Sequence, residues 1–153
     1  LQALLEKAIE LAVHYHGGQT DKGGNPYILH PLAVMTRVKS IEEKIVAVLH
    51  DIVEDTPLTF DGLRDAGFPD VIIEAVDALT KRTKESYNRY IWRVKNNSLA
   101  CAVKLADLSE NMDLSRIPFP QEKDFLRIEK YAAVREYLIG KDWIYENKKW
   151  IKK

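Results

Sequence analysis

The chain has 153 residues, enough for one domain with a buried core, and its 23 Lys and Arg balance its 23 Asp and Glu. Zero formal net charge excludes a general electrostatic grip on nucleic acid or an anionic membrane, although local patches can still be charged. The single cysteine, Cys101, cannot close an internal disulfide, and with no leader-like start or long apolar run the expectation is a cytoplasmic protein with no membrane span.

Leu4, Leu5, Ala8, Ile9, Leu11, Ala12 and Tyr15 recur at helical spacing and predict an amphipathic helix ending near His16, where Gly17-Gly18 breaks it. Residues 17–31 carry Gly23-Gly24, Asn25-Pro26 and His30-Pro31, a loop by composition. Helices are predicted over about 32–38 and 41–54, the second stopped by Thr56-Pro57. A short helix near 59–66, capped by Thr59 or Asp61, precedes the reset at Gly67-Phe68-Pro69-Asp70, and helix resumes over 71–79. Ser86 caps a helix to about 94, and Asn96-Asn97-Ser98 separates it from a strongly apolar one over about 99–114. After Pro118 and Pro120 a long helix runs over about 122–139, to Gly140. No segment shows a convincing strand alternation. The expected fold is all-α, a bundle-like single domain over 1–153 with about seven or eight helices. The aromatic tail Trp143-Ile144-Tyr145 through Trp150-Ile151 is expected to pack on its own domain, with a partner or dimer contact as the alternative.

The segment His50-Asp51-Ile52-Val53-Glu54-Asp55 is the most informative. On one continuous helix, His50 and Glu54, Asp51 and Asp55, and Asp51 and Glu54 would share a face. Ile45-Val46-Ala47-Val48-Leu49 pulls the preceding turns into a core. Three carboxylates at a helix C-terminus repel one another and oppose its dipole, and a bound cation reverses that penalty. Asp107 interrupts an otherwise apolar helix with Asn111 one turn beyond, although Lys104, three residues earlier, offers an ordinary salt bridge instead. His16 supplies a second imidazole, with His14 as an alternative that spacing leaves open. Such a mixed nitrogen and oxygen set suits manganese, with iron or zinc also open. The ion would activate water and neutralise charge developing on phosphate oxygens. Glu54 and Asp55 stand where a carboxylate can move the protons.

In chain order, His16-x-x-Gln19, Gly24-Asn25-Pro26-Tyr27-Ile28-x-His30-Pro31, Leu49-His50-Asp51-Ile52-Val53-Glu54-Asp55-Thr56 and Lys104-Leu105-Ala106-Asp107-x-x-x-Asn111 resemble the hydrolase domain of the RelA/SpoT alarmone enzymes. The stand-alone small alarmone hydrolases of the Mesh type are closer still. The motifs span 16–111, and the helical remainder extends the likeness over nearly the whole chain. The resemblance implies an HD-domain metal-dependent phosphohydrolase that removes the 3′-pyrophosphate of (p)ppGpp, a small-molecule nucleotide substrate of the stringent response. It implies manganese on His16, His50, Asp51 and Asp107, with the count back from Pro26-Tyr27 favouring His16 over His14. Glu54 and Asp55 correspond to the catalytic acidic pair, Asn111 to a residue that seats the nucleotide, and Lys22 to a basic residue near the phosphates. His30 corresponds to a structural hydrogen-bonding histidine. No synthesising domain is matched, so synthesis is not expected.

Three residues depart from that pattern. Asp21 stands where such hydrolases commonly carry a guanine-packing arginine, and Asp113-Leu114 where arginine and threonine often follow the asparagine. Opposite charges about 4 Å apart near a surface attract by about 4 kcal/mol before screening, so such reversals are expected to alter base recognition. Arginine restored at Asp21 is expected to strengthen binding of a guanine alarmone. Lys81, Arg82, Arg89 and Arg93 are candidates for compensation. The alternatives are an HD phosphohydrolase with another nucleotide, such as an adenine alarmone or NADPH losing its 2′-phosphate, and a non-catalytic nucleotide-binding module. The module would be expected to lose a ligand or an acid, yet His16, His50, Asp51, Asp107, Glu54 and Asp55 are all present.

Overall fold

The structure is a computed structural model that describes residues 1–140, 143–146 and 149–152. Its centre is a helix, α3 (Ile41–Leu49), in which Ile45, Val46, Ala47, Val48 and Leu49 are all buried. A run of five apolar residues covers every side of a helix, so α3 has to be enclosed rather than laid on a surface. It packs against α1 (Gln2–Tyr15), α2 (Leu29–Thr36), α6 (Asp70–Leu79) and α8 (Ser98–Asn111). Ser40 starts it with a reciprocal capping box: the Ser40 hydroxyl accepts from the Glu43 amide, and the Glu43 carboxylate accepts from the Ser40 amide. The short helices α4 (Ile52–Asp55) and α5 (Phe60–Asp65) follow, and then α7 (Tyr87–Lys95) lies between α6 and α8. A 3₁₀ turn at Leu114–Arg116 leads to α9 (Glu122–Leu138), which lies along α8.

Thr59, Ser86 and Asn97 each accept a backbone N–H of the first turn of α5, α7 and α8. The all-helical body expected from the sequence is therefore present. Four local differences have physical reasons. Helix α2 begins at Leu29 rather than 32 because Pro31 sits in its first turn, where no amide is needed for the ladder. The expected 41–54 helix is broken after Leu49, with Asp51 at φ −106°, ψ 0°, and restarts as α4. Helix α8 stops at Asn111, and Asp113 caps the 3₁₀ turn by accepting from the Ser115 amide. Finally, Trp143–Glu146 and Lys149–Lys152 pair as an antiparallel hairpin, Ile144 opposite Ile151, whose backbone lies against α9 and α7. Four-residue strands are too short for alternation to announce them. Residues 141–142, 147–148 and 153 of that tail lie outside the described residues. Among the described residues, no helix is long and apolar enough to cross a membrane.

Candidate metal and nucleotide site

The break between α3 and α4 builds the site. Were the helix continuous, His50 and Asp51 would diverge by about 100° around its axis. The turn instead brings His50 Nε2 to 3.1 Å from Asp51 Oδ2. Asp107, projecting from buried α8, comes within 3.5 Å of the same imidazole nitrogen. Next to them, Asp51, Glu54 and Asp55 place carboxylate oxygens within 4.8 Å of one another. The expected shared face is thus corrected: it is the corner between two helices, not one helix surface, that gathers these groups.

The hydrogen bonds fix which nitrogen of each histidine is available. His50 Nδ1 donates to the Ala47 carbonyl at 2.6 Å, which directs Nε2 at the carboxylates. His16 Nδ1 lies 2.8 Å from Gln19 Oε1, and Gln19 Nε2 donates to the Asp55 carbonyl at 3.0 Å. That second bond sets the amide orientation, so Oε1 must accept and His16 Nδ1 must carry the proton. His16 Nε2 is then left with a lone pair. Both Nε2 atoms are buried without a hydrogen-bond partner, although His16 and His50 are each only 2% exposed. Orphaned buried nitrogens beside buried carboxylates cost free energy unless something with positive charge joins them. An outer hydrogen bond on one ring nitrogen with the other free is the arrangement of metal-ligating histidines. The donors present fit a divalent ion.

Other contacts support the first set. Tyr27 donates its hydroxyl to Asp51 Oδ2, and burial, reinforced by Asp51, holds the phenol well above its usual pKa, so it acts as a donor. Asp107 Oδ1 accepts from Asn111 Nδ2 at 3.0 Å and lies 2.8 Å from His30 Nε2. His30, Asp107 and His50 form a second group of close donor atoms. The structure therefore gathers His30, rather than the expected His16, with His50 and Asp107 as groups that could hold an ion. Lys104 pairs with Asp107 Oδ2 at 3.1 Å, so the ordinary salt bridge is also real, and one carboxylate serves both.

Burial opposes charge throughout this centre, yet partners override it at the deepest groups. For Asp107, Lys104 and the histidines outweigh burial and hold the carboxyl well below the ordinary range. For His50, Asp51 and Asp107 outweigh burial and raise the imidazole well above its usual value. Carboxylates that recruit a proton to this nitrogen equally invite a metal cation in its place. At the rim, Glu54 and Asp55 go the other way: burial, followed for Asp55 by Asp51, raises both. Glu54 is steadied by the Lys81 amide, which donates to Oε1 at 3.0 Å. A carboxyl raised toward neutrality is suited to exchanging protons.

These groups open into a cleft of about 470 Å³. Its lining holds seven carboxylates (Asp21, Asp51, Glu54, Asp55, Asp107, Glu110 and Asp113) against four cations, Lys22, Lys104, Arg116 and Arg127. A polyphosphate enters such a cleft only with added positive charge at its floor. Lys22 and Asn111, both expected at the nucleotide, line the cleft. His14 is exposed, leaving His16 as the buried member of that pair. Compensation by the α7 arginines is corrected: Arg93 is spent on Glu85 at 2.6 and 2.8 Å, and Arg89 stacks over the Trp92 ring. The cations in the cleft are Lys22 and Lys104, both named from the sequence, and Arg116 and Arg127, which the sequence did not mark. The acidic departures have local uses. Asp21 Oδ1 accepts from the Gly23 and Asn25 amides at 2.9 Å each, so it holds the 21–25 loop closed. Arginine at 21 would remove both bonds, and the expected simple gain in guanine binding is withdrawn.

No protein-family model matches the chain. A GTP pyrophosphokinase of Streptomyces coelicolor is 34% identical over 125 residues, 73% of this chain and 15% of that protein. The guanosine-3′,5′-bis(diphosphate) 3′-pyrophosphohydrolase of Aquifex aeolicus is 31% identical over 120 residues, 71% of this chain and 17% of that protein. The bifunctional (p)ppGpp synthase/hydrolase SpoT of Escherichia coli is 31% identical over 123 residues, 71% of this chain and 17% of that protein. The chain is a RelA/SpoT-like domain. It spans about one sixth of the length of these relatives, and their names include synthesis as well as hydrolysis. The same fold is found in a metazoan ortholog of SpoT that hydrolyses ppGpp, with a TM-score of 0.75 at 22% identity, covering 90% of this chain and 86% of that one. That likeness is one of fold.

Proposed function

We propose that this RelA/SpoT-like domain is a metal-dependent nucleotide pyrophosphohydrolase that removes the 3′-pyrophosphate of (p)ppGpp. The observation that carries the reading is the buried Nε2 of His50, directed by its Nδ1 bond to Ala47 toward Asp51 and Asp107, beside the cleft that Asp51, Asp107, Glu54 and Asp55 line; the Nε2 of His16 is likewise buried without a hydrogen-bond partner. His50, Asp51 and Asp107 would hold manganese, with His16 as the second imidazole expected from the sequence and His30, which groups with His50 and Asp107, as the other candidate. Manganese so held supplies an acidified water and neutralises phosphate charge. Tyr27 and Gln19 keep the ligands in register, Tyr27 through Asp51 and Gln19 through His16. Glu54 and Asp55 take the proton from water and return one to the 3′-oxygen as its bond to phosphorus breaks, so that ppGpp and water give GDP and pyrophosphate. Lys22 and Asn111 seat the nucleotide at the rim, where Asn111 also orients Asp107.

The carboxylate excess of the lining, with Asp21 and Asp113 at its edge, favours a second reading in which a less phosphorylated nucleotide is preferred, such as NADPH losing its 2′-phosphate. One experiment decides between them. Manganese-loaded protein is incubated with ppGpp, pppGpp, ppApp and NADPH, and the products are separated by chromatography. Release of pyrophosphate from ppGpp with the fastest turnover supports the first reading. Phosphate from NADPH with no turnover of ppGpp supports the second, and no turnover of any of them defeats both.

A further inference from the structure

Glu110 is a carboxylate on the last turn of α8, only 8% exposed, and its two oxygens hold two different arginines. Arg37, at the C-terminal end of α2, donates Nε to Oε1 at 2.5 Å. Arg116, on the 3₁₀ turn after α8, donates Nη2 to Oε2 at 2.8 Å. Glu110 and its two arginines together carry a net positive charge, offset in part by the nearby carboxylate of Asp113. Only Arg116 faces the cleft; Arg37 lies outside its lining. Arg116 keeps a third of its side chain exposed, and among the described residues its Nε and Nη1 make no hydrogen bond. A buried Glu with a single arginine would form a neutral pair and offer the cleft little. The second arginine, outside, is what leaves Arg116 with charge to give.

The backbone fixes where that charge is delivered. Gly23, in the loop closed by Asp21, packs so tightly on the Arg116 carbonyl that a Cβ there would overlap it. The loop carrying Lys22 and the turn carrying Arg116 therefore meet at the rim, above a floor where His50 and Asp107 are at most 5% exposed. A nucleotide whose scissile diphosphate lies on the floor would present any second phosphate group to this rim. We infer that Arg116, positioned by Glu110 and left charged by Arg37, is a specificity-determining residue that binds the 5′-diphosphate of the nucleotide. A guanidinium with free N–H donors is suited to forked contact with phosphate oxygens. It would also explain how a cleft with an excess of carboxylates admits so anionic a ligand.

This assignment rests on the hydrolase reading, but GDP and pyrophosphate as separate probes test it independently. With manganese-loaded protein, Arg116→Ala is expected to weaken GDP binding by about tenfold and leave pyrophosphate binding unchanged, read by calorimetry. On ppGpp it raises KM by about the same factor with kcat little altered. Arg116→Lys restores part of the loss, because it keeps charge but not the fork. Arg37→Gln, outside the cleft, weakens GDP by about threefold and makes that binding less salt-dependent. Thermal melting of each variant separates these effects from unfolding. GDP affinity unchanged in folded Arg116→Ala or Arg116→Lys overturns the subsite, as does equal weakening of GDP and pyrophosphate. If wild-type protein failed to turn over ppGpp yet lost GDP affinity in Arg116→Ala, the subsite would stand and the hydrolase reading would fall.

Discussion

Two corners of the molecule bury charge, and they do so in opposite ways. Between α6 and α7, Arg93 meets both oxygens of Glu85 and donates as well to the Asp77 and Thr80 carbonyls at 3.1 and 2.9 Å. At this corner the charged atoms of Glu85 and Arg93 find partners. Between α3 and α4, by contrast, the Nε2 of His16 is buried without a hydrogen-bond partner, and the Nε2 of His50 faces two carboxylates, Asp51 and Asp107, that a single proton cannot fully serve. Closed networks hold chain segments together, whereas an open one is stable only with something added. The α6–α7 corner is structural, and the α3–α4 corner is the proposed binding site.

Substitutions that break this contrast differ in size. Asp51→Ala removes a carboxylate that touches His50 and Tyr27, and is expected to cost at least about three orders of magnitude in metal-dependent turnover. Glu54→Gln should lower kcat by about 10²- to 10⁴-fold while metal affinity, measured by calorimetry, is largely spared. Retained turnover would remove the proton-transfer role assigned to Glu54. Tyr27→Phe leaves the cleft its shape but takes the donor from Asp51, and should weaken manganese binding by about 10- to 100-fold. Metal at a hundred times its dissociation constant should raise stability by about 2.7 kcal/mol in the parent protein, seen as a higher Tm, and by less in Tyr27→Phe.

At the closed corner the expected signature is reversed. Arg93→Ala should cost about 2 kcal/mol of stability in denaturant unfolding and leave kcat within about twofold. The Arg93 guanidinium lowers the Glu85 carboxyl from 4.5 to about 2. A depressed folded-state pKa gives stability that is complete above the unfolded value and is lost as pH falls through the folded one. Unfolding measured between pH 5 and pH 2 should therefore show a stability loss in the parent protein that is smaller in Arg93→Ala.

The sequence alone made several of these features legible. Thr59 and Ser86 announce helix starts because a cap is a local interaction between residues three apart. The run Ile45–Leu49 announces the buried helix because hydrophobicity needs no partner to be recognised. His50-Asp51 and the lone Asp107 stand out because charge inside an apolar run needs a reason. Spacing alone left His14 and His16 open, and the exposed and buried faces of α1 separate them.

Other features depended on contacts between segments far apart in the chain. The break after Leu49 turned an expected helix face into a corner, and no residue in 41–54 is a glycine or proline that would mark it. Asp21 and Asp113 looked like lost cations until their carboxylates were seen bonding the loop and turn beside them. Arg37 and Arg116 are 79 residues apart, and only folding delivers them to one carboxylate. Composition and local pattern thus determined that this is a helical protein with a histidine–aspartate centre. Which cations reach the cleft, and which are already paired, was decided by the tertiary structure, since an ion pair depends on distance in space and burial rather than on order along the chain.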